Sequence, residues 1–216
     1  MNETNRPTAD ILYRYFADFT GKQQEQWNAL YDLYLDWNSK INVISRKDMD
    51  QFYLHHVLHS LTIAAQFDFP AGTTVLDLGC GGGFPGVPLA LYFPEVKFML
   101  VDSVGKKLTV VNEVCQALGI TNVETRHQRV ESIQQTKVDV VVSRAVAPLK
   151  DLWKWSKPLI RKNKPADDRP NGLICLKGGD LAQEVFESGC KPMVWEISQY
   201  FEEAYFKEKF ILYQPI

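Results

Sequence analysis

The sequence predicts an α/β protein, a doubly wound and mostly parallel sheet of seven strands with a helical extension at its N-terminus. Three observations predict it. From Thr73 onward, five short β-rich runs alternate with helical runs, the pattern of a parallel sheet with crossover helices. Near the C-terminus two further strand-like runs follow each other with no helix between them, which calls for an antiparallel pair. Residues 8–66 instead repeat apolar residues at helical spacing and show no strand signal. The boundary falls at Pro70-Ala71-Gly72, so residues 1–70 read as the extension and 71–216 as the sheet domain.

Taken in order, Thr20 with Gln23 forms a capping-box pattern, and Trp27, Leu30, Tyr31, Tyr34 and Trp37 then make one helical stripe. A polar break runs from Asn38 to Asp48, and Leu54, Val57, Leu58, Leu61 and Ala65 mark a second helix. Strands are expected at 73–78, 97–102, 122–126, 138–143 and 171–177. Helices are expected at 85–92, 104–118 and 148–160, with Pro85 opening the first and Gly119 closing the second. A last helix near 180–188 precedes the antiparallel runs Met193–Ser198 and Tyr205–Tyr213. The stretch Arg161–Asn171, with Pro165, Pro170 and mixed charges, reads as a mobile loop before the fifth strand.

Composition narrows the function. With 45% hydrophobic residues in 216, the chain can bury a substantial core. It has no apolar run long enough to span a membrane and no signal-peptide core at its N-terminus. Cys80, Cys115, Cys175 and Cys190 are widely spaced, which speaks against a disulfide framework or a zinc knuckle. These features predict a reduced, soluble, cytoplasmic protein with no evident obligate protein partner. The net charge is −2, yet residues 126–177 hold twelve Lys and Arg against five Asp and Glu, while the rest of the chain is acidic. A basic quarter in an acidic protein suits an RNA footprint on one face, and equally a solvated lysine-rich helix.

The chemistry centres on Val75-Leu-Asp-Leu-Gly-Cys-Gly-Gly-Gly-Phe-Pro-Gly86, a buried strand running into a glycine turn and then a helix. Such a unit aims free backbone N–H groups at a ligand. A P-loop is excluded because no lysine lies between Val75 and Tyr92. Gly81, Gly83 and Gly86 match a dinucleotide fingerprint, but in a register late for that fold. Gly79, Gly81 and Gly83, with Asp77 before them, look like the S-adenosylmethionine (SAM) motif of Rossmann-like methyltransferases, whose sheet also has seven strands ending in an antiparallel hairpin.

Other candidates lie at strand ends, where ligands of such sheets bind. Asp102 could accept hydrogen bonds from ribose hydroxyls, in NAD and SAM enzymes alike. Val130 and Glu131 follow the third strand, where an adenine would lie. Arg144 ends the fourth strand and could hold a carboxylate or a phosphate bidentately. Lys177 ends the fifth strand. His55 and His59 stand at i and i+4, but no third ligand accompanies them and no metal is expected. Trp153 and Trp155 beside Lys154, Lys157 and Arg161 could stack bases or simply pack in the core.

The combined runs L-D-L-G-C-G-G-G-F-P-G-V-P-L-A (Leu76–Ala90), V-D-S-V-G-K-K (Val101–Lys107), R-V-E (Arg129–Glu131), S-R-A-V-A-P-L (Ser143–Leu149) and L-K-G (Leu176–Gly178) resemble the small-subunit ribosomal RNA methyltransferase G family, also called glucose-inhibited division protein B. Trp37-Asn38, Ile41-Asn-Val-Ile-Ser45 and His56-Val-Leu58 extend the resemblance to the N-terminal segment. It implies SAM-dependent methylation of position 7 of a guanosine in 16S rRNA, on free rRNA or a small-subunit particle. It also implies cofactor contacts at Gly79, Phe84, Val130, Glu131 and Arg144, and RNA-side candidates at Asn38, His56, Arg129 and Lys177. His59 stands where the family usually has aspartate and is given no role. Guanine N7 has no proton to lose, so no general base is assigned. A methyltransferase for a small molecule or protein, an NAD(P) oxidoreductase and a non-catalytic RNA-binding factor are the competing readings.

Overall fold

A computed structural model describes residues 6–133, 136–144, 146–162 and 171–216. Its sheet has seven strands: β1 (Thr74–Leu78), β2 (Lys97–Asp102), β3 (Val123–His127), β4 (Val140–Arg144), β5 (Gly172–Gly178), β6 (Met193–Glu196) and β7 (Lys209–Pro215). The spatial order is β3-β2-β1-β4-β5-β7-β6. Pairs from β3 to β5 are parallel, and β7 pairs antiparallel with both β5 and β6. Strand order reverses at β1, between β2 and β4, and a ligand crevice belongs beyond the carboxyl ends there.

Alternation along each strand splits the core into two layers. Val75, Phe98, Leu100, Val142, Ile174 and Tyr213 face one side. That side is covered by α1 (Asp10–Tyr13), α2 (Gly21–Lys40), a π-helical segment Phe52–Leu58 running into α3 (His59–Leu61), α4 (Gly86–Tyr92) and α5 (Gly105–Leu118). Leu76, Leu78, Val101, Val141, Leu173 and Leu212 face the other side, under α6 (Leu149–Ser156), with α7 (Ala182–Ser188) packed beside that helix. The N-terminal extension therefore shares one continuous core with the sheet. Its main helix starts at the expected capping box, in which Thr20 Oγ1 accepts from Gln23 N and Gln23 Oε1 accepts from Thr20 N. Gly119 closes α5 with φ +63°, as its position suggested.

Several boundaries differ from the sequence expectation, each for a local reason. The first long helix runs to Lys40, so the polar break starts later than Asn38. Pro85 caps α4 from outside, following a cis Phe84–Pro85 bond. The helix expected to reach residue 160 stops at Ser156; Pro158 cannot donate to continue it, and Ile160 instead bridges Val138. Tyr205 and Phe206 form a tight turn, held by burial of Phe206, and the last strand begins only at Lys209. Ile197 and Ser198 likewise leave β6 for a short turn. Residues 163–170 of the expected loop lie outside the described residues.

Candidate active site

The turn after β1 shapes the cleft. Gly79 has φ +73° and its N–H donates to Val101 O at 2.9 Å; a Cβ there would come within 2.9 Å of Val146 Cγ1. Gly81 has φ +57°, and nothing lies within 4 Å of where its Cβ would be. Both positions need the left-handed backbone that glycine adopts without strain. Asp102, only 8% exposed, accepts from Gly81 N at 2.9 Å and from Val104 N at 2.8 Å. It ties the turn to the start of α5, and each carboxylate oxygen keeps a second lone pair for a ligand.

Around this turn lies a cleft of about 570 Å³, within the usual range for a small-molecule site. Gly79, Gly81, Phe84, Asp102, Val130, Glu131, Arg144 and the exposed Arg129 all line it. Val104 and Val146, exposed apolar residues, and Trp155 line it as well. The arrangement offers bare backbone, carboxylates, apolar walls and a guanidinium around one cleft. Those are the complements of a nucleoside and of an acid group, so SAM fits the residues present.

Arg144 is held from the extension. Its Nη1 donates to His55 O and its Nη2 to His56 Nδ1, both at 3.1 Å, and its guanidinium carbon lies 5.2 Å from the centre of the Phe84 ring. Arginine is always the donor, so His56 Nδ1 must be the acceptor and its proton sits on Nε2. That Nε2 is buried without a hydrogen-bond partner among the described residues. Burial, then the Arg144 charge, pushes the His56 pKa down to about 3, so the ring is neutral. Among the described residues two of the five guanidinium N–H groups are used, which leaves three for a ligand. Below the turn, Asp77 is fully buried and accepts from Gly86 N at 2.7 Å. Burial lifts its pKa to about 7, against the opposing pull of the Gly86 N–H and of Arg144.

Three residues expected on the RNA side also make internal contacts. Asn38 Oδ1 accepts from Val43 N and Ile44 N, and Nδ2 donates to Ile44 O, which folds the loop after α2. His56 orients Arg144. Lys177 is 8% exposed; its Nζ donates to Ala147 O at 2.5 Å and pairs with Glu184 Oε1 at 2.7 Å. Trp153 and Trp155 are half-buried against the second core layer. His59, buried, meets the Tyr205 hydroxyl at 3.2 Å and so fastens the C-terminal turn to the extension. Among the described residues no His, Cys, Asp and Glu cluster could hold a metal.

Sequence reasoning missed Tyr34 and Val43. Tyr34 Oη donates to Gly82 O at 2.7 Å, and Val43 packs so close to Gly82 that a Cβ there would meet it at 2.9 Å. On a helical stripe, Tyr34 was indistinguishable from core; its hydroxyl was the unread signal, because a buried tyrosine needs a partner.

Fold and cleft together define a Rossmann-like, SAM-dependent methyltransferase. A crystal structure of a SAM-dependent methyltransferase from Aquifex aeolicus superposes with TM-score 0.54 at 17% identity, covering 72% of this chain and 88% of that one, a likeness of fold. The family model described as rRNA small subunit methyltransferase G matches residues 23–201, and this chain belongs to that family. The Bacteroides thetaiotaomicron ribosomal RNA small subunit methyltransferase G is 53% identical over 96% of this chain and all of its own length. Its namesake in Porphyromonas gingivalis is 52% identical over 96% of this chain and 93% of its own.

Proposed function

We propose that this chain methylates N7 of a guanosine in 16S rRNA, in the cytoplasm, with residues 71–216 as the catalytic unit and 1–70 as the extension that completes its cleft. The observation that carries the reading is the meeting of the Gly79–Gly81 turn, Asp102 and Arg144 in one cleft at the switch point of a chain from this family. Bound there, SAM supplies an electrophilic methyl group. Asp102 would accept from the ribose hydroxyls, and Val130 and Glu131 would read the adenine edge. The three unused N–H groups of Arg144 would hold the carboxylate of the methionine end.

Guanine N7 presents a lone pair and no proton, so this chain's residues have no proton to remove. Their task is to hold two reactants in line and at contact distance, which is where most of the rate then arises. A base inside RNA structure has to be splayed out to reach the cleft. Arg129, exposed at the rim, would meet the RNA there.

The test is mass spectrometry of 7-methylguanosine in 16S rRNA from the source bacterium with and without the gene. One modified guanosine should vanish on deletion, and return with the wild-type gene but not with Gly79→Asp. An unchanged 7-methylguanosine profile would overturn the reading.

A further inference from the structure

We infer that the outer face of α6 and the basic depression at its foot form a track for the phosphodiester backbone of the RNA substrate, an inference that rests on the RNA reading above. In α6 and the turn that follows it, Leu149, Leu152 and Ser156 are buried, while Lys150, Lys154 and Lys157 are exposed. At four- and three-residue spacing the lysines form one stripe, about 6 and 4.5 Å apart along the axis, on the side away from the sheet. Lys157 Nζ stands 5.7 Å from the centre of the half-buried Trp153 ring, which supports the ammonium at the surface.

The stripe has direction. Val146 lines the active-site cleft, and the helix starts at Leu149 just beyond it. It then descends antiparallel to β4 until Ile160 bridges Val138 near the strand's start. At that foot lies a second depression, of about 410 Å³, lined by Lys137, Lys157, Pro158, Ile160, Arg161 and Lys162. Arg161 is neutralised by Asp139 at 2.8 Å, whereas Lys137, Lys157 and Lys162 are exposed and face no carboxylate among the described residues. Concavity focuses their field, and a chain of net charge −2 has concentrated it along one line.

The occupant is nucleic acid rather than an acidic protein. A protein partner needs an apolar anchor at the centre of its contact, and among the described residues the exposed large hydrophobic ones, such as Phe186 and Met193, lie elsewhere than the outer face of α6. Point charges in a row match a phosphate backbone, which supplies affinity without sequence.

The experiment uses Lys150→Gln/Lys154→Gln/Lys157→Gln, a control triple Lys22→Gln/Lys191→Gln/Lys207→Gln that removes the same charge elsewhere, and wild type. Methylation of small-subunit RNA is followed at several salt concentrations, with SAM affinity measured separately. The α6 triple should raise KM for RNA about tenfold and flatten the log KM against log salt slope by about 2, three contacts at roughly 0.7 each on single strands. Its kcat should stay within about twofold, its SAM affinity should be unchanged, and the control should keep the wild-type slope. A wild-type KM and slope in the α6 triple, or an equal fall in the control, overturns the track. Wild type that methylates no RNA overturns the proposed function itself, a result the variants do not produce.

Discussion

The two faces of the sheet are built differently. On one, the extension, α4 and α5 form a thick layer tied by aromatic contacts: Phe16 and Phe19 against Tyr92, Tyr31 against Phe52, Tyr34 against Phe84. On the other, α6 covers the strands with α7 beside it, and its outer face carries lysines. The thick face supplies the groups that fix the cleft, because Tyr34 and Val43 brace the glycine turn and His55 and His56 orient Arg144. The thin face supplies contact with what comes from outside. The difference separates two tasks: a wall has to be immobile, and a docking surface only has to be exposed and charged.

The largest effect that separates them comes from the thick layer. Trp27 is fully buried and packs on Phe19, so Trp27→Ala should cost about 3–5 kcal/mol. For a chain of this size that is roughly 10 °C in Tm, readable by calorimetry. A loss under about 1 kcal/mol would mean that the extension is an appendage and the comparison is wrong.

The next effect lies at the seam between extension and sheet. Asp77 keeps its proton up to about pH 7 when folded, against 3.8 for its ordinary value, so over that window the folded chain binds the extra proton and Asp77 lowers stability as pH rises. His56 works the other way: its ordinary value is 6.5 and its folded value about 3, so it lowers stability as pH falls through that range. Between about pH 4 and 6.5 the two oppose each other. Relative to wild type, the stability of Asp77→Asn should rise with pH there, by up to about 1.4 kcal/mol per unit. That of His56→Asn should fall with pH instead. Denaturant titrations at several pH values give both slopes, and parallel curves for wild type and either variant would remove that residue's role.

How legible these features were depended on the range over which each is decided. The glycine turn, the strands β1 to β5 and the Thr20 cap were legible because strand period, turn chemistry and capping are local. So was the cleft lining, since Gly79, Asp102, Val130 and Arg144 sit at strand ends that the fold class brings together. Asn38 has its partners five and six residues on, but those of His56 and Lys177 are remote. Lys177 meets Glu184 from the following helix and Ala147 from thirty residues earlier; Arg144 meets a histidine 88 positions away. No spacing rule reaches that far. The start of β7 was misjudged for the same reason, because Tyr205 answers to His59 of the extension rather than to its own strand.

On the thin face, effects on stability should be smaller. Glu184 Oε1 also accepts from Leu149 N at 2.7 Å, so one carboxylate holds both the buried Lys177 and the start of α6. Glu184→Gln leaves that cation without a counter-charge. Because Glu184 is about a quarter exposed, the expected loss is about 1–2 kcal/mol, less than a fully buried pair would give. The loss should come with a raised KM for RNA, since α6 carries the track. Lost stability with an unchanged KM would detach this helix start from docking.

The smallest stability change belongs to the stripe itself. Lys150, Lys154 and Lys157 are exposed and make no ion pair among the described residues. Replacing all three with glutamine should move unfolding free energy by no more than about 0.5 kcal/mol. If like-charge repulsion along the stripe dominates, the sign should be positive, because i,i+4 lysines repel by a few tenths of a kcal/mol. Urea titration at low and high salt separates the cases: repulsion predicts a gain that salt erases. A loss above about 1 kcal/mol would show that the lysine stems pack as part of the core layer. The two faces would then differ in thickness alone and not in task.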